Sequence, residues 1–305
     1  VKEKVHVIIN RHSGTVLRLG EEGVQGILSQ KLGPKIESLH FVEAREMCPK
    51  IDELGHNPDI DLLIGGGDGT AVCAAEHLKD RGVHFGMLPL GTMNLLAQDL
   101  GSAPTFEQTM ERFADMREDS IDLGIVNGRF FLCSAVIGLV PESAVVREEI
   151  REEGSIAAVS RFVTTVARGI SGGAPLPLKL RMNDEDNAIA LETASLIISN
   201  NRFVRHPDAP SERFLRESLK DGNLAVYSAA PKDIIDGLRL AIKMVAGTWQ
   251  EDDTVFSFET PRLIVETPEE KILISLDGEP LEMTSPLKFS IEKKELPVLR
   301  MELAA

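Results

Sequence analysis

Apolar and polar positions change rhythm partway along the chain. Over roughly the first 120 residues, short apolar runs alternate with stretches of helical periodicity. Val5-His6-Val7-Ile8-Ile9 reads as a buried strand, and Asp61-Leu62-Leu63-Ile64 as another that runs into glycines. Between them, Glu21 to Leu32 and Met47 to Leu54 carry helical patterns. A helix from Thr70 to about Lys79, a strand near Val83–Leu88 and a helix from Asn94 follow. Thr105-Phe106-Glu107-Gln108 is a capping box that opens one more helix. This order predicts βαβ units around a mostly parallel sheet, a Rossmann-like α/β domain over residues 1–119.

From about Asp119 the pattern turns to β. Ile121–Val126, Asn127-Gly128 and Arg129–Ile137 form a hairpin signal, because Asn-Gly readily adopts the two positive φ values of a type I′ turn. Further β runs cover Leu176–Met182, Ala188–Ser199, Leu224–Ser228, Thr254–Phe258, Leu263–Glu266, Lys271–Leu276 and Leu287–Ile291. Helical stretches near Ser155–Gly169 and Pro231–Ala246 interrupt them, and Gly169–Pro177 and Arg202–Glu212 read as loops. The expectation for residues 120–305 is a β-sandwich-rich domain with two helices.

Composition narrows the function classes. The 305 residues hold 33 Lys+Arg against 48 Asp+Glu, a formal charge of −15, which argues against nucleic acid as the main partner. No apolar run approaches the roughly 18–20 residues of a membrane span, and Val1-Lys2-Glu3 does not read as a signal peptide. Cys48, Cys73 and Cys133 are scattered, without CxxC spacing, so neither a disulfide framework nor a zinc site is expected. The expectation is a cytoplasmic protein, with any membrane contact peripheral.

Gly65-Gly66-Gly67-Asp68-Gly69-Thr70 follows an apolar strand and precedes a helix, the place where open α/β sheets bind ligands. Glycines let backbone N–H groups approach phosphate oxygens, and a helix N-terminus adds favourable dipole. It is neither a Walker loop nor a GxGxxG fingerprint. The next βα unit supplies Leu88-Pro89-Leu90-Gly91-Thr92-Met93-Asn94, and the first strand ends in Asn10-Arg11-His12-Ser13-Gly14. Together the three loops outline a phosphate-lined crevice.

These residues resemble the diacylglycerol kinase catalytic-domain family, especially its bacterial lipid kinases. Gly66-Gly67-Asp68-Gly69-Thr70 matches the GGDGT signature, and Pro89-Leu90-Gly91-Thr92-Met93-Asn94 resembles the P-x-G-T-x-N loop. Asp122-Leu123-Gly124, Asp221-Gly222-Asn223-Leu224 and Asp277-Gly278-Glu279 fall in the family's order. The resemblance implies a nucleotide-binding α/β domain, a β-sandwich lipid-binding domain, ATP as donor, Mg²⁺, and the hydroxyl of a lipid at a membrane surface as acceptor. It implies nucleotide contacts from Asn10, Ser13, Gly14, Gly66, Gly67, Asp68, Gly69, Thr70, Gly91, Thr92 and Asn94. Three positions depart from the pattern. Arg11 replaces a proline, Leu95 stands where an aspartate is common, and Arg202-Phe203-Val204-Arg205-His206-Pro207 replaces a glycine-rich turn.

Asp277-Gly278-Glu279 also has a physical reading. Asp-Gly between β runs is a hairpin turn, yet phosphoryl transfer to an alcohol needs a carboxylate to accept the hydroxyl proton and carboxylates for Mg²⁺. By resemblance Glu279 is the base, while Asp277 and Asp68 support the metal and water network, with Asp122 near the acidic cluster. Asp221 matches a residue that, with backbone carbonyls, binds a structural cation, Mg²⁺ or Ca²⁺. Arg202, Arg205, His206, Arg213 and Arg216 read as a solvated basic loop able to meet a phosphorylated headgroup. Gly169-Ile170-Ser171-Gly172-Gly173 fits G-x-S-x-G but lacks the strand before and helix after that a nucleophile elbow needs. The rivals are an NAD kinase, disfavoured by the absence of an Asn-Glu dipeptide, and a weakly catalytic regulatory lipid-binding protein.

Overall fold

The computed structural model describes residues 1–91, 94–138, 175–183, 187–205 and 214–301. The helix read at Ser155–Gly169, the G-x-S-x-G stretch, Thr92, His206 and Arg213 lie outside them. The chain divides into two units, one of Val1–Leu123 with Lys293–Ala305, the other of Gly124–Glu292. The sequence reading places a single boundary between residues 119 and 120; the structure assigns the end of the chain to the first unit.

In the first unit β1 (Lys4–Asn10), β2 (Ile36–Val42), β3 (Ile60–Gly66) and β4 (Phe85–Pro89) form a parallel array in the order β2-β1-β3-β4. The connections hold α1 (Gly14–Leu32), α2 (Met47–Leu54), α3 (Asp68–Leu78), α4 (Leu95–Asp99) and α5 (Phe106–Glu111). Val5, Val7 and Ile9 share one core with Val24, Leu28, Phe106 and Leu299, while Ile8, Leu62 and Ile64 are also fully buried. Both faces of the sheet are therefore covered, as a parallel sheet requires. Thr105 caps α5 by accepting the Gln108 N–H at 3.2 Å, as the capping pattern predicts. Cys48 in α2 and Cys73 in α3 form a disulfide, against the sequence expectation. The packing of the two helices brings their Cα atoms to 5.8 Å, which no sequence spacing reveals.

The remaining strands are β5 (Arg117–Val126), β6 (Arg129–Phe131), β7 (Ser134–Gly138), β8 (Leu176–Met182), β9 (Ile189–Thr193) and β10 (Ser195–Asn200). They continue with β11 (Leu224–Ala229), β12 (Val255–Thr260), β13 (Arg262–Glu266), β14 (Lys271–Leu276), β15 (Glu279–Thr284) and β16 (Leu287–Arg300), and α6 (Ile234–Ala246) lies between β11 and β12. In the second unit β12-β11-β10-β7-β14-β15 make one antiparallel sheet, and β9, β8, β13 and the start of β16 pair antiparallel in another. Ile137, Ile198, Val226 and Ile274 of the first sheet share a core with Leu178, Leu263, Phe289 and Phe131 of the second, so the unit is a sandwich. The β5–β6 turn has Asn127 at φ 46° and Gly128 at φ 81°, the two positive values read from Asn-Gly. A second cluster of Phe203, Tyr227, Leu240 and Trp249 packs beside β11, and burial pushes the Tyr227 hydroxyl up to about 12.

Candidate functional site

At the carboxyl edge of the parallel sheet, β3 ends at Gly66 and α3 begins at Asp68, with Gly67 as its N-cap. The Thr70 and Ala71 N–H groups donate to the Gly67 carbonyl at 3.0 and 3.3 Å, closing the first turn. The start of such a helix presents amides for which the helix has no acceptors, aimed away from the sheet edge. The glycines are not equivalent. A Cβ at Gly66 would meet the Thr70 side chain at 2.6 Å, and one at Gly91 would meet the Gly67 Cα at 2.7 Å. Those two are glycines because protein fills the space. Among the described residues nothing lies within 4 Å of a Cβ at Gly67 or Gly14, so these residues leave the space above them open to a ligand.

The three loops converge within the first unit. A Cβ on Gly65 would sit 2.4 Å from Leu90 and 3.1 Å from Ile9, so the ends of β1, β3 and β4 are side by side. The Thr15 N–H donates to the Leu90 carbonyl at 3.3 Å, which ties the start of α1 to the second loop. Asn10 Oδ1 accepts the His12 N–H at 3.0 Å, and the Asn10 carbonyl accepts the Ser13 N–H at 3.0 Å. Asn94, in the left-handed region at φ 52°, caps α4 and donates from Nδ2 to the Gly91 carbonyl at 2.8 Å. Ser13 Oγ and Asn94 Oδ1, among the polar atoms here, are buried without a hydrogen-bond partner. Buried polar atoms are normally satisfied, so this edge carries unspent capacity for a polar ligand. Asn10, Ser13, Gly14, Gly66–Thr70, Gly91 and Asn94 are thus brought together.

Asp68 has a structural duty as well. Its carboxylate accepts the Leu96 N–H at 3.2 Å and, more weakly, the Leu95 N–H at 3.4 Å, so it charges the N-terminus of α4 favourably. Position 95 serves this arrangement through its backbone, which leucine supplies as well as aspartate.

The candidates of the second unit sit differently. Asp277 and Gly278 form the β14–β15 turn with φ 48° and 93°. The Asp277 carboxylate accepts N–H groups from Leu132 (2.7 Å), Cys133 (2.8 Å) and Ser134 (2.8 Å). Three amides on one carboxylate fix the turn. Glu279, the first residue of β15, is exposed. Asp221 is exposed on its turn, where its N–H donates to Asn201 Oδ1 at 3.1 Å. Asp122 is buried and accepts the Lys294 N–H at 2.9 Å, a contact inside the first unit.

Arg216 corrects the reading of a solvated basic loop. It is 4% exposed, and its guanidinium donates to the carbonyls of Leu132 and of Asn200, the latter at 2.9 Å. Asn200 Nδ2 also donates to Leu132 at 3.2 Å. Arg216 and Asn200 therefore brace the segment whose amides grip Asp277, and no motif around position 216 announces this. Arg202 pairs with Glu259 at 3.3 Å, and Arg205 is exposed.

Residues 4–126 match the family model for the diacylglycerol kinase catalytic domain. A Pseudomonas aeruginosa (strain UCBPP-PA14) protein named "Probable lipid kinase YegS-like" is 30% identical over 243 residues, 78% of this chain and 75% of that protein. A crystal structure described as a diacylglycerol kinase from Bacillus anthracis str. Sterne superposes with a TM-score of 0.69 at 16% identity. It covers 98% of this chain and 97% of its own, a likeness of fold.

Proposed function

Because this chain belongs to the diacylglycerol kinase catalytic-domain family, in its bacterial lipid-kinase branch, we propose that it phosphorylates a lipid hydroxyl with ATP and Mg²⁺. The observation that carries the nucleotide half is the contrast along the glycine loop, filled at Gly66 and open at Gly67, beside the partnerless Ser13 Oγ and Asn94 Oδ1. When bound, Mg²⁺-ATP supplies the phosphoryl group and neutralises its charge. Backbone amides at the start of α3, with Asn10, Ser13, Gly14, Gly69, Thr70, Gly91, Thr92 and Asn94, hold and orient the phosphates. Asp68 is the carboxylate of these loops suited to a hard cation. Glu279, exposed at the end of a turn that Asp277 fixes, accepts the proton of the acceptor hydroxyl. Asp277 acts as a positioning residue, since three amides occupy its carboxylate.

Acceptors of this class include diacylglycerol, a sphingoid base, ceramide and phosphatidylglycerol, presented at a membrane surface. No helix among the described residues is long and apolar enough to cross a membrane. Asp221 takes a structural Mg²⁺ or Ca²⁺ with backbone carbonyls. Metal analysis finding no ion lost on Asp221→Ala would remove that assignment. The deciding experiment screens these lipids with γ-labelled ATP and Mg²⁺. Label in an organic-extractable product is expected, labelled NADP alone would mean an NAD kinase, and no transfer to any lipid would leave the regulatory reading.

A further inference from the structure

A second constellation lies at the opposite edge of the parallel sheet. Asp61 is the second residue of β3, His84 immediately precedes β4, and Glu118 is the second residue of β5. The β3–β4 register sets the first two side by side, with the Leu62 N–H donating to the His84 carbonyl at 3.0 Å. Gly66 is five residues further along β3, about 16 Å at the rise of a strand, so this cluster is separate from the phosphate loops.

Asp61 is fully buried. Its Oδ2 accepts the Lys2 N–H at 2.7 Å, but Oδ1 has no hydrogen-bond partner. Oδ1 faces His84 Nδ1 at 3.7 Å, and that nitrogen is also buried and without a partner. The gap is too long for a hydrogen bond. Glu118 Oε2 lies 3.9 Å from His84 Nε2. The Lys2 amine (3.5 Å) and the Val1 nitrogen (3.8 Å) approach the other oxygen, Oε1. One ligand atom from each of the three residues falls within 4.8 Å of the others. From these contacts we infer that Asp61, His84 and Glu118 bind one first-row divalent transition ion of the Zn²⁺ type.

Three arguments fit the ion. A metal about 2.0–2.2 Å from both Oδ1 and Nδ1 spans the 3.7 Å gap at an angle of roughly 125°, within the spread of a distorted tetrahedral site. An imidazole with two carboxylates suits Zn²⁺ or its neighbours better than Mg²⁺, which prefers all-oxygen sets. Asp61 Oδ1 and His84 Nδ1 are both buried without a hydrogen-bond partner, so the site gains from any cation that supplies one. Glu118, 39% exposed at its side chain, gives the ion its way in.

The test titrates Zn²⁺ into tag-free, chelator-stripped protein by calorimetry, with excess Mg²⁺ present to occupy hard-cation sites. One equivalent should bind, and His84→Gln and Asp61→Asn should each weaken it at least about tenfold. Because a buried substitution can disturb folding, Glu118→Gln at the exposed mouth serves as a second variant. Zn²⁺ should raise the melting temperature of the unmodified chain and do so much less in Glu118→Gln. Zn²⁺ affinity unchanged in folded variants, or an equivalent that Mg²⁺ displaces, overturns the inference.

Discussion

Asp277 and Glu279 stand two residues apart, and their surroundings separate their roles. Asp277 has a backbone φ of 48°, which aspartate tolerates, and spends both carboxylate oxygens on the amides of Leu132, Cys133 and Ser134. Asp277→Ala leaves those donors unmatched and should lower unfolding stability by roughly 3 kcal/mol, read by urea denaturation. Glu279 carries no such duty on its exposed edge. Glu279→Gln should melt as the parent does, while kcat falls by about 10²–10⁴ with ATP affinity little changed. A Glu279→Gln enzyme within about threefold of the parent on its true lipid would take the base role away. The sequence shows both carboxylates and the turn between them. It does not show where Asp277 points, because that follows from the long-range pairing of Leu276 with Ala135.

The glycine loop, the Asn127-Gly128 hairpin and the Thr105 cap were legible as elements because each is written in adjacent residues whose backbone needs are special. Two strands were not. Ile36–Val42 mixes His40, Ser38 and Glu37 with apolar residues at the edge of the sheet, so no clean alternation appears. Glu279–Thr284 contains Pro280, which argues against a strand, and the structure tolerates it because β15 is the outer strand of its sheet. At the glycine loop, Gly67→Val places its side chain in open space at φ −92°, so the fold should survive while ATP affinity is lost. Full affinity by calorimetry in that variant would remove the phosphate assignment. In the second unit, Asp252 is buried and accepts two bonds from Arg239 of α6, at 2.9 and 3.1 Å, with further bonds from Thr254 before β12. The Arg239 guanidinium foremost holds its carboxyl well below the usual range. A depressed folded value means the contribution is complete above the unfolded value near 3.9 and fades as pH falls below it. Asp252→Asn should therefore cost about 2 kcal/mol at neutral pH, and the difference from the parent should shrink towards pH 3.

At the scale of the molecule, the first unit is completed by the last residues of the chain. β16 starts in the second unit and ends in the first, where Val298 pairs parallel with Phe85 of β4. Leu299 packs against Gly86, whose Cβ would come within 3.2 Å of it, and the Met301 N–H donates to the Leu100 carbonyl at 2.8 Å. Leu296, Val298, Leu299 and Met301 are each at most 1% exposed. Full burial of such side chains contributes about 1.5–3 kcal/mol apiece, so the four together supply on the order of 10 kcal/mol. That is comparable with the whole stability of an ordinary domain, about 5–15 kcal/mol. None of the four belongs to a motif, and a reading by local pattern ends this strand at Ile291, since Glu292–Glu295 is charged. The expected outcome is that a chain stopped after Glu292 loses the first unit and with it ATP binding, although every glycine-loop residue remains. Leu299→Ala should show a graded version, destabilised by about 2–5 kcal/mol but still able to bind ATP well below its melting temperature. Calorimetric ATP binding and thermal melting of both variants decide the matter. A 1–292 chain that binds ATP normally and melts with the parent would mean that the parallel sheet is complete without its last strand.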